Sequence, residues 1–389
     1  MTGLRSDTQT QAALDAALAA WLGSGRPGDD VLAADPAQLR HRIDLNGAGP
    51  LLALKSDPAA VPDDIARFLR KRLVAREMWE EQHRRVLAAA LDALDAAGLN
   101  PLVMKGTALA YSHYPRPAAR VRGDSDVLVE EEGRAAAFAA LEDAGFRRAA
   151  TAGGSTLNAE ALFQRRDMMG DWHDIDLHWR LNSSPVLARV FSHAELRARS
   201  TPLPDLHDAA FAPGRVDALL FAAVHRRMHI DRPTHIHLNG VAHPVIDSLS
   251  WLMDIHLLFE SLDRNDKRSL IARAEEKDIS DILRDALRDA RSRLGTHVPE
   301  DVTAALAPAR RGRVTRYIDA QPARALVLNL AAMEGMRARG AALRELVFPP
   351  RDYMHARFSR GHADWLPILH LRRILPGVAK HLRRGREPS

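Results

Sequence analysis

The chain has 389 residues, which is enough for two or three hydrophobic cores and too many for one small module. Hydrophobic residues make up 46%, charged residues 27% and aromatic residues 5%, a composition typical of a soluble, helix-rich globular protein. The sequence contains no cysteine, which excludes disulfides, thiolate metal sites and cysteine nucleophiles. A bound metal would therefore need oxygen or imidazole ligands.

No segment has the roughly 18 uninterrupted apolar residues of a membrane-spanning helix, and the N-terminal residues lack the pattern of a secretion signal. We therefore expect a cytoplasmic protein. Much of the net charge of +5 lies in the C-terminal tail LRRILPGVAKHLRRGREPS. Such a basic tail favours solubility, or contact with an anionic partner such as nucleic acid or an anionic membrane surface.

In chain order, the first hundred residues predict helices. Apolar side chains recur three and four positions apart, as at Ile65, Phe68 and Leu69, which predicts one amphipathic helix or two in series. Gly98 is a typical residue for the end of this helical segment. We expect an N-terminal helical region over residues 1–99.

From about residue 100, short strands alternate with helices. The strands are predicted in PLVM and VRGDSDVLV, the helices in TALAYSHY and EEGRAAAFAALEDAGF, and three further extended runs in FRRAAT, TLNAEALFQRR and WHDIDLHWRL. The glycines at 153–154 would belong to a hairpin loop. This βαβα order, followed by two or three strands, predicts a small mixed-sheet α/β core over residues 100–182.

Helical spacing returns after this core, in four segments between residues 215 and 348. They predict a C-terminal helical domain over residues 183–389 that carries the basic tail. The fold class we expect is α+β, with a small mixed-sheet core flanked by N-terminal and C-terminal helical domains.

Two aspartates interrupt the apolar strand predicted in VRGDSDVLV. Asp124 and Asp126 are two residues apart, so both side chains point to one face of the strand and can share a cation. The segment WHDIDLHWRL likewise places Asp174, Asp176 and His178 on one face. If the two strands are neighbours, Asp176 or Asp174 completes a cluster of three carboxylates that suits Mg²⁺.

The segment before these aspartates supplies groups that suit phosphate. Backbone N–H groups at Gly106 and Thr107 begin a predicted helix and can receive a phosphate. Lys105, Arg120 and Arg122 are cations that can offset the charge of a triphosphate. An isolated Asp-x-Asp pair is usually solvent-facing, but the ordered combination favours metal-assisted phosphoryl or nucleotidyl transfer.

The ordered segments MKGTALAYSHYP, ARVRGDSDVLV and HDIDLHW resemble the polymerase-β-like nucleotidyltransferase superfamily, most closely a family of uncharacterised bacterial nucleotidyltransferases. Two differences stand out: Lys-Gly-Thr replaces the usual Gly-Gly or Gly-Ser, and Ser125 replaces an apolar residue, which should leave the back of the strand less well packed. The residues that match the family's motif are the turn Lys105 and Gly106, the arginine Arg120, the metal pair Asp124 and Asp126, the third carboxylate Asp176, and His178.

The resemblance implies a Mg²⁺-dependent enzyme, using two ions, that moves a nucleoside monophosphate, AMP in our leading hypothesis, from ATP or another NTP to an acceptor and releases pyrophosphate. Asp124, Asp126 and Asp176 would bind the metal and act in catalysis. The nucleotide would contact Lys105, Gly106, Thr107, Arg120, Arg122 and His178. Two alternatives stay open: an adenylyltransferase that modifies a protein, peptide or tRNA end, and a catalytically silent nucleotide-binding module.

The segment HRRMH places His225 and His229 four residues apart on one helical face, a spacing that can bind zinc. It lacks the glutamate of the His-Glu-x-x-His motif, so partly buried histidines or contacts with a nucleotide phosphate fit this pattern better. The sequence has no Walker-type loop, dinucleotide fingerprint or G-x-S-x-G elbow, which disfavours P-loop kinases, Rossmann enzymes and α/β-hydrolases. The acceptor, the preferred NTP and the oligomeric state stay open.

Overall fold

The structure is a computed structural model that describes residues 2–149, 157–230, 234–238, 241–245, 247–349, 351–358 and 365–370. Within these ranges the fold has the predicted α+β class, with helices around one mixed seven-stranded sheet. The predicted hairpin loop at 153–155 and the basic tail lie outside the described residues. None of the described helices is both long and apolar enough to cross a membrane.

The N-terminal region is helical as predicted. Its helices are α1 (Thr2–Ser24), α2 (Asp29–Leu32), α3 (Pro36–Leu45), α4 (Gly49–Lys55) and α5 (Asp63–Ala96). Helix α5 is continuous over 34 residues, so the segment predicted as one helix or two forms a single helix. Acidic residues occupy its first turn, where carboxylates interact favourably with the helix dipole.

The central segment has the predicted order of strands and helices. Its elements are β1 (Leu102–Val103), α6 (Lys105–Ala110), β2 (Asp124–Leu128), α7 (Arg134–Asp143), β3 (Arg147–Arg148), β4 (Glu160–Arg166) and β5 (Trp172–His178). The short connecting segment between α6 and β2 contains a 3₁₀ turn at Pro117–Ala119.

Helices predominate in the rest of the chain, together with four short strands. The elements are α8 (Pro185–Ala188), α9 (His193–Ala198), β6 (Thr201–Pro202), β7 (Phe211–Ala212), α10 (Arg215–Ile230), β8 (Thr234–Leu238), β9 (Val241–Val245), α11 (Leu249–Glu260), α12 (Arg264–Glu276), α13 (Ser280–Leu294), α14 (Glu300–Leu306), α15 (Arg313–Ile318), α16 (Pro322–Ala332), α17 (Gly335–Val347) and α18 (Arg351–Phe358).

The main sheet has the strand order β3-β4-β5-β2-β1-β7-β6, and β8 pairs with β9 in a separate hairpin. Strand β2 lies parallel to β5 and antiparallel to β1, while β1 and β7 are parallel. Because β6 and β7 come after residue 182, the sheet extends past the range predicted for the core. The division of the chain at residues 99 and 182 stays a prediction.

Two hydrophobic clusters organise the fold, and α5 contributes to both. Its first half, with Ile65 and Leu69, packs in a cluster formed by helices from both ends of the chain. Its second half, with Leu87 and Leu91, packs in the cluster that covers the sheet. Because α1 and α13 share the first cluster, the N-terminal and C-terminal helices bury one common core.

Candidate active site

Three predicted carboxylates come together on two adjacent parallel strands. The register of β2 and β5 places Asp126 opposite Asp176 and Asp124 opposite Asp174. Residues two apart in a strand face the same way, so these side chains share one face of the sheet with His178. Asp124, Asp126, Asp176 and His178 line one wall of a cleft of about 740 Å³.

The pKa values of the three carboxyl groups are shifted in different directions by their surroundings. Burial raises the pKa of Asp176 to about 7, and the charges of Asp126 and Asp124 add to the increase. Burial and the neighbouring Asp126 also raise the pKa of Asp124. Burial acts in the same direction on Asp126, but Lys105 and His178 outweigh it and hold the pKa of this carboxyl well below its usual range.

These residues fit a divalent cation. Ligand atoms of Asp126, Asp176 and His178 all lie within 4.8 Å of one another, the one such cluster in the described part of the chain. Carboxylate oxygens are the hard ligands that Mg²⁺ prefers. Asp174 accepts a 2.9 Å hydrogen bond from Gln164 Nε2 and does not line the cleft, so Asp176 is the better third carboxylate.

Lys105 and His178 both contact the same oxygen of Asp126. Lys105 Nζ lies 2.5 Å from Asp126 Oδ1, and His178 Nε2 lies 2.9 Å from it. The other ring nitrogen of His178 is 3.2 Å from Glu160 Oε2. These contacts associate His178 with the carboxylates; it also lines the cleft, and its contact with a nucleotide stays a prediction.

The guanidinium of Arg120 packs against Gly106 of the Lys-Gly turn. Its Nε and Nη2 atoms each donate a 2.8 Å hydrogen bond to Asp254 of α11, which also accepts one from the Tyr114 hydroxyl. A Cβ atom on Gly106 would lie only 3.2 Å from Cζ of Arg120. A side chain at this position would therefore require the guanidinium to shift by a few tenths of an ångström. Arg120 is paired with Asp254 and also lines the cleft, and its contact with a nucleotide stays a prediction.

Arg122 and the Thr107 hydroxyl belong to the framework behind the site. Arg122 Nη2 lies 2.6 Å from Glu80 Oε1 of α5, and its Nε donates a 2.9 Å bond to Thr107 Oγ1. Thr107 Oγ1 is in turn 2.8 Å from Ser125 Oγ. These contacts give Arg122 and the Thr107 hydroxyl a structural role. Both residues also line the cleft, and their contacts with a nucleotide stay predictions.

The back of β2 is a polar network and not a poorly packed surface. Ser125 is fully buried, and its Oγ lies 2.6 Å from His83 Nε2. His83 Nδ1 is 3.1 Å from His173 Nδ1, whose ring contacts Asp167 through Nε2 at 3.0 Å. Burial and the charge of Arg122 lower the pKa of His83 to about 2, so this imidazole is neutral. The expected packing deficit at Ser125 was wrong, because the buried serine has hydrogen-bond partners on α5 and α6, His83 and Thr107.

His225 and His229 lie on the cleft wall with Trp251. Their ring centroids are 4.6 Å apart, and the Trp251 ring is 5.4 Å and 5.2 Å from the two imidazoles. Burial, followed by the charge of Lys105, lowers the pKa of His225 to about 3. Since these two histidines form no metal-ligand cluster with other described residues, the structure shows an aromatic wall and gives no support for a zinc site.

Sequence reasoning missed the residues that hold the site from a distance. Glu80 and His83 belong to no recognisable motif. Tyr114 lies in the segment MKGTALAYSHYP that carries the resemblance, and Asp254, 134 residues from Arg120, lies in an apolar helical segment, but neither was assigned a role at the site. A charged or polar residue within an apolar helix stripe, as at Asp254 and His83, was the available signal.

One comparison with known proteins identifies the family of this chain. The model of a family described as uncharacterised nucleotidyltransferase matches residues 45–295, more than half of the chain. The chain belongs to this family. The matched part of this nucleotidyltransferase runs from α4 to α13. It contains the carboxylates Asp124, Asp126 and Asp176, the Lys-Gly turn and the helices that support them. A search of curated proteins finds no match.

Proposed function

We propose that this nucleotidyltransferase moves a nucleoside monophosphate, AMP from ATP in the leading case, to an acceptor and releases pyrophosphate. One observation carries the proposal: the register of β2 and β5 brings Asp124, Asp126 and Asp176 to one wall of a large cleft. The membership of the chain in a nucleotidyltransferase family supports this class of reaction.

In the proposed reaction, an oxygen of the acceptor attacks the α-phosphorus, the bond between the α- and β-phosphates breaks, and pyrophosphate leaves. Mg²⁺, as two ions, would supply charge neutralisation when bound. Asp124, Asp126 and Asp176 would hold it, and Asp176 would also accept the proton of the acceptor. Lys105 would bind the triphosphate through its ammonium group.

The aromatic wall of the cleft suits the nucleobase. His225, His229 and Trp251 present rings close to the Lys-Gly turn, and base stacking on aromatic side chains needs no particular base identity. The neutral imidazole of His225 adds no charge there. We therefore propose that this wall holds the base while the triphosphate lies toward Lys105.

The proposal is tested with purified protein, Mg²⁺ and α-labelled ATP, GTP, CTP or UTP, with and without cell extract. We expect labelled product and pyrophosphate with wild type, and loss of both with Asp126→Asn or Asp176→Asn. Asp174→Asn is the matched control, because Asp174 is a carboxylate on the same strand face that does not line the cleft. This variant should retain activity.

The labelled product then identifies the acceptor class, because the label will appear on a small molecule, on RNA or on protein. Nucleotide binding without any transfer would support the silent binding module. The absence of labelled product and of pyrophosphate under all conditions, with wild type indistinguishable from Asp124→Ala/Asp126→Ala, would refute the transferase proposal.

A further inference from the structure

The described lining of the cleft contains no lysine or arginine that is free to meet a triphosphate. Three such side chains line it, and each is paired with a carboxylate: Lys105 with Asp126, Arg120 with Asp254, and Arg122 with Glu80. A nucleoside triphosphate brings several negative charges into this site. A paired cation can donate its remaining N–H groups to a phosphate, but its charge is then shared with the carboxylate. A cation that meets the nucleotide with its full charge therefore has to leave its pair.

The pair that can open is the one formed by Lys105. In the two arginine pairs, every side chain is less than a tenth exposed, and separating such a pair would leave buried charges without partners. The Lys105 side chain is 27% exposed, and its ammonium group sits on a flexible four-carbon chain. Of the three cations, Lys105 is therefore the one best able to change partner.

A cation that binds Asp126 through Oδ1 competes directly with Lys105. A carboxylate offers about four lone-pair sites on its two oxygens, or two for each oxygen. On Oδ1 of Asp126, the two sites are taken by Lys105 Nζ and His178 Nε2. A divalent cation that binds through this oxygen has to displace one of the two donors, and His178 is fixed by its buried position in β5.

The backbone around Lys105 stays in place during such a change. Lys105 has φ +51°, a left-handed conformation that is unfavourable for a lysine and that persists only when the surroundings impose it. They do so here, because Met104 N donates a 2.9 Å bond to the carbonyl of Asp126 and Gly106 packs on Arg120. The Lys105 ammonium can therefore move between the carboxylates and the turn while the backbone of Lys105 keeps its position.

We propose that Lys105 is an internal counter-ion of Asp126, that a divalent cation displaces it, and that the released ammonium then binds the triphosphate. This inference rests on the proposed function and deepens it. Its consequence is positive coupling: the metal makes a cation available to the nucleotide, and by reciprocity the nucleotide strengthens metal binding. The carboxylates and the triphosphate site are coupled through one side chain.

The first test measures Mn²⁺ binding by electron paramagnetic resonance in the absence of nucleotide. Lys105→Met removes the competing ammonium, so we expect Mn²⁺ to bind about tenfold more tightly than to wild type. At saturating free Mn²⁺, the same variant should bind inorganic tripolyphosphate about tenfold more weakly. Lys105→Arg keeps the charge and should remain close to wild type in the Mn²⁺ titration.

The second test uses wild type and does not depend on a variant that folds. Lys105 and Lys71 are compared by acetylation with acetic anhydride followed by peptide mapping; Lys71 is exposed on α5. Mn²⁺ should accelerate acetylation of Lys105, and tripolyphosphate added afterwards should slow it again. Lys71 should react at one rate throughout.

Mn²⁺ affinity in Lys105→Met equal to or weaker than in wild type would overturn the inference, as would Lys105 acetylation that is insensitive to Mn²⁺. Failure of the proposed function gives a different result. In that case wild type does not bind Mn²⁺, or Asp126→Asn binds Mn²⁺ as tightly as wild type does. Either result would mean that the carboxylates are not a metal site.

Discussion

The ion pair between Arg120 and Asp254 allows a quantitative stability prediction. Both side chains are less than a tenth exposed, and Asp254 accepts three 2.8 Å hydrogen bonds, two from Arg120 and one from Tyr114. Asp254→Ala leaves a buried guanidinium without a counter-charge. Removal of one partner of a buried pair costs about 3–5 kcal/mol, so we expect the free energy of unfolding to fall by about 4 kcal/mol.

The measurement is urea denaturation followed by circular dichroism and tryptophan fluorescence. Glu77→Ala is the matched control, since Glu77 pairs with Arg116 at 2.6 Å but the side chains are 38% and 58% exposed. An exposed pair contributes about 0–1 kcal/mol. Arg120→Met/Asp254→Leu removes both buried charges and should recover much of the stability lost in Asp254→Ala.

Two results would refute this reasoning. Asp254→Ala could prove no more destabilising than Glu77→Ala, or the double variant could be as unstable as Asp254→Ala alone. Either result would mean that the guanidinium is not held in a buried, charge-paired position beneath the Lys-Gly turn.

Three further variants test other parts of the structure. Gly106→Ala places a Cβ 3.2 Å from Cζ of Arg120, so the turn should shift and the transfer rate in steady-state assays should fall about tenfold. Ser125→Ala removes the hydroxyl that contacts His83 and should lower the free energy of unfolding in urea by about 1–3 kcal/mol. Burial opposes the charge of Glu195, but hydrogen bonds from two basic side chains lower its pKa from 4.5 to about 2. The contribution of ionised Glu195 to the free energy of unfolding is therefore complete above pH 4.5 and is lost as the pH falls toward 2. The difference in free energy of unfolding between wild type and Glu195→Gln should narrow over this range.

Each of these predictions has a contrary outcome. Full activity of Gly106→Ala would show that the turn tolerates a side chain over the guanidinium. Ser125→Ala should be compared with Ser292→Ala, which removes an exposed hydroxyl, and equal stability of the two would exclude the buried network. For Glu195→Gln, a stability difference that stays constant down to pH 2.5 would show that the carboxylate is not stabilised by its partners.

The carboxylate cluster followed from the sequence because its geometry is local. Side-chain alternation fixes the common face of Asp124 and Asp126, and the same rule applies to Asp176 and His178 in the second strand. The sequence did not show whether the two strands are neighbours, and the cluster depended on that pairing. The structure supplies it through the parallel register of β2 and β5.

The partners of the arginines could not be predicted in the same way. Arg120 pairs with Asp254 and Arg122 pairs with Glu80, in each case from another part of the chain. Sequence spacing gives no information about such contacts, because they depend on how helices pack around the sheet. The sequence therefore did not reveal these ion pairs, and the nucleotide contacts expected of Arg120 and Arg122 stay predictions.

Strands β6 and β7 were missed for a different reason. Each has two residues, which is too short for the alternation that predicts a strand. The common core of the N-terminal and C-terminal helices could not be predicted either. An amphipathic pattern shows which face of a helix is buried, but it does not identify the element that covers this face.

The packing of α1 against α13 has a consequence for biosynthesis. Leu18, Trp21 and Leu22 of α1 are almost fully buried, and Gly23 approaches α13 so closely that a Cβ would lie 2.3 Å from the carbonyl oxygen of Leu294. At about 5–20 residues per second, the ribosome completes α13 about 10 to 50 s after α1. During that interval the apolar face of α1 lacks its final partner, so α1 cannot complete its part of the common core until α13 has been synthesised.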